Sequence, residues 1–452
     1  MGLLLDFAYS IACLLLSPWI LFRFVSRRGR RDLPMRFGRR LGTPLTASIW
    51  LHGSSAGEVG LLKPLVSRLE QDFPGTPLVV SAFTATGLAA ARRLYAGHRV
   101  IAFPFDFSFA VKRCLTRFDP RLVIIVESEF WPNFIGYAHR RGIPLALVNG
   151  KMSAKSRGRY ERSRLIPRAL RKLDLVAVQS EEHATRFRSL GVGPERVRVT
   201  GNMKYDLARA PNDGGASAIR GSLGYTAENV VVIGGSLHAG EDNALLSAYS
   251  AARAANAQAA LILVPRYPDE ARAVVERVRA AGYRPVLKTD IDTGREAAPG
   301  ATGVLVVDTV GELGALYGAA DVAFVGGSLY FRGANKGGHN LMEPAILGVP
   351  VLFGPYNFSF KDTVDDLLAA GAGPMVHDAL DLAQAVTELV GDPTLRRERG
   401  LLAQRVVVAA QGATARNYAL LVDLLDAQSR RLQPQAFDRK MPRTAGGPDS
   451  SL

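Results

Sequence analysis

GGHNLMEPAILGVPVLFG, residues 337–354, is the stretch on which the reading of this chain turns. Two glycines open a loop, Asn340 and Glu343 stand where a short helix begins, and residues 349–353 form a continuous apolar run. Loop, helix start and strand in that succession turn backbone N–H groups toward an anion. Pattern alone leaves Glu343 two meanings. It is a carboxylate that complements the helix dipole, or it is half of a nucleotide cradle, accepting both ribose hydroxyls while Asn340 and the loop amides meet a phosphate or a base.

Outward from this stretch the same alternation of short apolar runs and helical patterns fills the chain. Runs at 48–51, 78–83, 100–103, 122–126, 145–148, 175–178 and 197–200 precede a segment rich in Gly, Ala and Ser at 208–225, and runs at 230–233, 260–264, 285–287, 303–307, 322–325 and 349–353 follow it. Continuous rather than alternating hydrophobicity marks strands covered on both faces, hence mostly parallel sheets with helices on each side. The expected architecture is α/β: two doubly wound domains, 27–207 and 226–428, joined by a linker at 208–225 and followed by a disordered tail at 429–452. The last helix of the second domain is free to pack back on the first. Open sheets of this kind bind ligands at the carboxyl ends of their strands, so a cleft between the two domains is the expected ligand site.

Length and charge narrow the partners. At 452 residues the chain exceeds one ordinary core. Lys and Arg total 56 against 41 Asp and Glu, a formal charge of +15 that points to a polyanionic partner. Zinc-finger spacing and RNP-like aromatics are missing from the sequence, which excludes nucleic acid and leaves an anionic bilayer or a phosphorylated substrate. Cys13 and Cys114 form neither a disulfide framework nor a metal cluster, as in a reducing compartment. Residues 7–22, FAYSIACLLLSPWILF, are apolar and are followed by eight arginines between Arg23 and Arg40. A cleavable signal has the reverse order, so residues 1–26 are expected to be a retained membrane anchor. The arginines would keep the rest of the chain on the cytoplasmic side, against anionic headgroups.

Chemistry-bearing clusters recur just past the apolar runs. HGSSAGEV (52–59) has the capping-box spacing of Ser55 and Glu58, yet its small residues would let a ligand approach, with Glu58 as a general base. In ESEFWPN (127–133), Glu127 and Glu129 would share one side of an extended chain and so need a cation or sugar hydroxyls. NGKMSAKS (149–156) brings Lys151 toward an acceptor phosphate, and VTGNMKYD (199–206) places Lys204 at the close of the first domain, able to counter charge on a leaving phosphate. In the second half GGSLHAGE (234–241), with Gly235 and Ser236, has the form of an amide nest. VPRYP (264–268) offers Arg266 for a phosphate, and DTVGEL (308–313) starts a helix with Gly311 and Glu312.

Taken in order, HGSSAGEV, ESEFWPN, NGKMSAKS, VTGNMKYD, GSLHAGE, VPRYP, DTVGEL and GGHNLMEPAILGVPVLFGP make the chain resemble the lipid A Kdo transferases, glycosyltransferase family 30, from the anchor to about residue 425. These enzymes attach 3-deoxy-D-manno-octulosonic acid (Kdo) to a lipid A precursor. The resemblance implies a GT-B fold, CMP-Kdo as donor, lipid IVA as acceptor, inversion at the anomeric carbon, no cofactor or metal, and an inner-membrane location. It carries the catalytic base onto Glu58 and the transition-state-stabilising positions onto Glu127, with Glu129 as near neighbour, and Lys204. The CMP contacts fall on Pro265 and Arg266, on Val310, Gly311 and Glu312, and on Asn340, Leu341, Met342 and Glu343; Ser55, Gly235, Ser236 and Lys151 are further candidates. The family's usual Asn-Ala-Arg is Asn149-Gly150-Lys151 here, and its usual His is Tyr267; Lys keeps the charge of Arg without its bidentate fork. The competing assignments are another GT-B sugar-nucleotide enzyme, a UDP- or GDP-sugar transferase or an epimerase, and a non-catalytic membrane-tethered binding module.

Overall fold

A computed structural model of the chain describes residues 5–7, 9, 27–209, 215–333 and 337–432. The expected anchor lies outside the described residues except for 5–7 and 9, as does the expected tail beyond Leu432. Among the described residues no helix is long and apolar enough to cross a membrane. The chain forms two compact units, one of residues up to Gly201 together with those from Thr414 onward, the other Asn202–Ala413.

The first unit is built on seven parallel strands: β1 (Ser48–His52), β2 (Leu78–Ala82), β3 (Arg99–Ala102), β4 (Pro120–Val126), β5 (Leu145–Gly150), β6 (Leu175–Val178) and β7 (Val197–Val199). Their order is β3-β2-β1-β4-β5-β6-β7. Every residue of β1, β2, β5 and β6 is buried, which is why each reads as a mostly apolar run, with Ser48, His52, Ser81 and Asn149 as the buried polar exceptions. Trp50 of β1 centres this core. Its ring meets Phe103, Phe118 and Phe134 edge-on or tilted, and its indole N–H donates to Ser81 Oγ at 2.8 Å, so the one polar atom of the side chain is satisfied.

The helix Ala413–Leu432 belongs to this unit and continues past residue 429, where the sequence loses its hydrophobic face. It is tied down by polar contacts: the Tyr418 hydroxyl donates to Asp72 at 2.6 Å, Asn417 Nδ2 to Thr200 Oγ1 at 3.0 Å, and Arg416 Nε to the Thr200 carbonyl at 2.8 Å.

The second unit repeats the plan with β8 (Val230–Leu237), β9 (Ala259–Pro265), β10 (Arg284–Leu287), β11 (Gly303–Val306), β12 (Val322–Val325) and β13 (Val351–Phe353), ordered β10-β11-β9-β8-β12-β13 and all parallel. β13 starts later than residue 349 because Pro350 has no N–H for the ladder; its carbonyl still accepts from Ala323.

Two expectations change here. The segment 208–225 is not simply a linker, since Gly215–Ser222 is a helix of the second unit. Its Ile219 packs on the core around Leu223, Tyr225 and Val231, and Arg220 holds Asp321 at 2.9 Å, so tertiary contacts and alanine's helix preference outweigh the glycines. Lys204 does not close the first domain. The unit boundary falls before Asn202, because Tyr205 donates to Asp366 at 2.6 Å and Gln411 donates to the carbonyls of Tyr205 and Ala208.

Strand order changes direction between β1 and β4 in the first unit and between β8 and β12 in the second. At these points neighbouring crossovers run to opposite faces and the carboxyl ends of two adjacent strands splay open, so a ligand can enter.

Candidate active site

At the β1/β4 point of the first unit three carboxylates gather. β1 passes through Gly53 into a turn held by the Ser54 carbonyl, which accepts from Thr84 N at 2.9 Å and Thr84 Oγ1 at 3.0 Å. Only glycine fits at 53, where a Cβ would lie 2.9 Å from backbone atoms of Glu58 and Val59. Ser55 then caps the helix Ala56–Leu61 by accepting from the Glu58 amide. The Glu58 carboxylate folds back, receiving the Ser55 hydroxyl at 2.9 Å on Oε1 and the Ser54 amide at 2.8 Å on Oε2. The expected capping box and the expected base are therefore one residue, a carboxylate held in a single orientation.

β4 delivers the other two carboxylates. Glu127 is buried and adopts a left-handed backbone, φ 64°, a strained state found at functional sites. That turn ends the extended chain, so Glu127 and Glu129 do not alternate as strand residues, contrary to expectation. Glu127 pairs with Lys151 Nζ at 2.6 Å, and Glu129 receives Trp131 Nε1 at 3.0 Å together with the Ser54 hydroxyl. Ser54 thus ties Glu58 to Glu129 through its amide and its side chain.

Burial pushes the Glu58 carboxyl above the ordinary carboxylate range. The like charges of Glu127 and Glu129 add to that push, and the hydrogen bonds from Ser54 and Ser55 only partly oppose it. Glu129 is raised as well, chiefly by burial and then by Glu127. A half-buried, oriented carboxylate with raised proton affinity, at a place where a sheet opens, suits proton abstraction.

In the second unit the stretch 337–354 forms the helix Met342–Ile346 and then β13. Asn340, two residues before that helix, accepts from Met342 N at 3.1 Å, and its Nδ2 donates to Glu343 Oε1 at 3.0 Å. Asn340 therefore orients Glu343, whose carboxyl burial raises. Leu341 and Met342 are core residues and can offer a ligand only their backbone. Arg266 is exposed just past the buried Pro265 at the end of β9, its guanidinium 5.4 Å from the Tyr267 ring centre. Nearby His238, Tyr267, Arg332, Gly338 and His339 line a cleft of about 690 Å³. Val310 is exposed, Gly311 is left-handed at φ 96°, and Glu312 lies 3.4 Å from Lys288. Lys204 stands over the Phe360 ring at 5.5 Å.

The amide-nest expectation for GGSLHAGE changes at one amide, that of His238. Glu241, the last residue of that motif and 1% exposed, accepts the His238 amide at 2.9 Å and the amides of Gly327, Ser328 and Leu329 at 2.7, 2.9 and 3.0 Å. A carboxylate of the chain's own thus takes the His238 amide of the motif together with three amides of the turn after β12. Gly235 is small for an internal reason, since a Cβ there would meet the Tyr317 hydroxyl at 2.0 Å; Ser236 turns the chain at φ 55°.

Residues that sequence reasoning passed over are Ser54, Trp131, His238, Arg332 and His339. His238 directly follows the run that forms β8 and His339 follows Gly337 and Gly338, and a histidine close to glycines in each motif was the available signal.

A family model described as 3-Deoxy-D-manno-octulosonic-acid transferase (kdotransferase) matches residues 31–207. The 3-deoxy-D-manno-octulosonic acid transferase of Bordetella pertussis is 34% identical over 441 residues, covering 92% of this chain and 99% of that protein. The enzyme of the same name from Haemophilus influenzae is 31% identical over 431 residues, covering 93% and 97%. Among solved structures, a UDP-N-acetylglucosamine 2-epimerase has the same fold at a TM-score of 0.56 and 11% identity, with 87% of this chain and 99% of that one covered.

Proposed function

The chain belongs to the Kdo transferase family of glycosyltransferases, and from that premise we propose that it transfers Kdo from CMP-Kdo to the lipid A precursor lipid IVA, inverting the anomeric carbon, with Glu58 as general base. The observation that carries this reading is Glu58 itself: oriented by Ser54 and Ser55, raised in proton affinity, and flanked by two further carboxylates at the opening of a parallel sheet.

In the proposed step Glu58 takes the proton from an acceptor sugar hydroxyl. The freed oxygen bonds to the Kdo anomeric carbon while the bond from that carbon to the CMP phosphate oxygen breaks, and CMP leaves with the electron pair. Glu127, held by Lys151, places negative charge beside the oxocarbenium character that develops on the sugar. Arg266 and Lys204 answer the charge growing on the phosphate. Glu343, turned by Asn340, receives the ribose hydroxyls, and the backbone near Leu341 and Gly311 frames the cytidine.

A groove of about 1080 Å³ on the first unit, lined by Arg40, Lys112, Arg113 and Arg117 beside the half-exposed Phe109, supports an anionic partner surface. It fits an enzyme held at the cytoplasmic face of the inner membrane, with residues 1–26 as its anchor.

Mass spectrometry of lipid IVA before and after incubation with CMP-Kdo and purified protein tests the reaction. Mass increments of Kdo are expected, and an unchanged lipid together with intact CMP-Kdo would overturn the assignment. Two narrower outcomes follow from the geometry. The base must be ionised to act, so kcat/KM falls as pH drops through the raised Glu58 value, above the usual carboxylate pKa of about 4.3. Removing a like charge by Glu129→Gln favours the ionised form and should move that acidic limb to lower pH; a limb that stays in place would detach Glu129 from the base. Lys151→Ala should cost about tenfold in kcat/KM, roughly 1.4 kcal/mol, because the buried Glu127 loses its ion pair, whereas Lys151→Arg retains most activity. Steady-state transfer assays of the two variants decide it, and equal rates would remove the pair from the mechanism.

A further inference from the structure

Two histidines touch in the cleft of the second unit. His238 follows β8 and His339 precedes the helix Met342–Ile346; their Nε2 atoms are 3.0 Å apart, and the rings lie edge to edge, 12° from parallel with centres 5.3 Å apart. Gly327 makes room for them, since a Cβ there would lie 2.9 Å from His339 and 3.2 Å from His238. At this separation one proton must lie between the two nitrogens, because two lone pairs or two N–H groups would repel. One ring therefore donates through Nε2, and the other accepts there and carries its hydrogen on Nδ1. A second proton, added at the free Nδ1 of the donor ring, leaves the shared bond intact. Both rings then present Nδ1–H donors and the pair bears one positive charge.

Burial in the cleft is the largest effect opposing that second proton. Arg266 and Arg332 bear on both rings, and the Tyr267 ring stands edge-on to His238 at 6.0 Å. The one opposing charge among the groups acting on the pair is Glu241, already occupied by four backbone amides. Together these effects hold His339 down to about 4. A phosphate entering beside Arg266 and Arg332 reverses the balance.

The bond change in the proposed reaction makes this timely. In CMP-Kdo the phosphate is a diester with one negative charge; once the sugar bond breaks it is a monoester carrying about −1.5 to −2 near pH 7. Resting on the donor assigned above, we propose that His238 and His339 are positioning residues for the departing nucleoside monophosphate, taking up one proton from solvent as its charge grows and returning it when the product leaves. Glu58 handles the acceptor's proton separately.

Calorimetric titration of the full-length protein with CMP, in buffers of different ionisation enthalpy from pH 6 to 8, reads this directly. The wild type should take up more protons per CMP than either His339→Gln or His238→Gln, by a difference approaching one. Over the same window its affinity should fall by up to about tenfold per pH unit, a slope the variants lack. Cytidine, without a phosphate, should bind all three proteins with equal proton exchange. CMP binding with identical proton stoichiometry in wild type and both variants would overturn the pair's role alone. A wild type that binds no CMP at all would overturn the donor assignment and, with it, this inference.

Discussion

Glu58→Gln should leave a protein that folds and binds CMP normally but transfers Kdo about 10² to 10⁴-fold more slowly. Glutamine is as good as glutamate at the third position of a capping box. Its carbonyl oxygen can still accept from Ser54 N or Ser55 Oγ, which now lie 2.8 and 2.9 Å from the carboxylate. The helix Ala56–Leu61 therefore keeps its start, and the substitution removes only the basic oxygen. At 1.36 kcal/mol per factor of ten, the loss corresponds to about 3 to 5 kcal/mol of barrier. The expected signature is a fallen kcat with CMP affinity unchanged in calorimetry. Near-normal turnover in the variant would move the base elsewhere, and Glu129, whose proton affinity is also raised, would be the next residue to test.

Glu241→Ala should be the most destabilising single change in the second unit. Its carboxylate is the acceptor for four backbone amides, His238, Gly327, Ser328 and Leu329, at the joint between β8 and β12. An orphaned buried donor costs about 1–3 kcal/mol, and water entering the gap recovers part of that, so a loss on the order of 4 kcal/mol is expected. Glu241→Gln, which keeps an acceptor oxygen but not the charge, should fall between. Hydrogen exchange at the Ser328 and Leu329 amides, followed alongside urea unfolding, separates this from a general loosening. Protection unchanged at those amides in the alanine variant would show that they find other partners. His238 and the Gly327 turn beneath His339 hang on the same carboxylate, so CMP binding should weaken along with stability.

The two expected results draw on different sources. Glu58 was visible in the chain because a strand, a glycine turn and a Ser-x-x-Glu cap are local, written within a few residues. The strands of both units were visible for a related reason: a segment covered on both faces must be mostly apolar, as β1, β2 and β5 are apart from Ser48, His52, Ser81 and Asn149, and such a run needs no knowledge of its neighbours. The ordered motifs likewise announced the family, and the relatives from Bordetella pertussis and Haemophilus influenzae carry it across nearly the whole chain.

Composition misled where small residues served packing. Gly, Ala and Ser at 215–222 resemble a linker, but Ile219 and Arg220 fasten them as a helix. The glycine at 235 resembles part of an amide nest, but it is small because Tyr317 occupies the space beside it.

By itself, then, the amino-acid order determined the α/β class, the boundaries of most strands, the membership of the family and the base candidate, because each depends on burial or on contacts a few residues apart. Only the tertiary structure decided which charges meet. Strand order sets β1 beside β4, so that Glu127 and Glu129 raise a carboxyl some seventy residues earlier in the chain. It also sets β8 beside β12, so that Glu241 gathers the amides of Gly327, Ser328 and Leu329 along with the His238 amide of its own motif, and His238 comes within a shared proton of His339. Electrostatic and hydrogen-bonding partners are chosen by distance in space, and distance in space is fixed by the path of the crossovers, which periodicity along the chain does not encode.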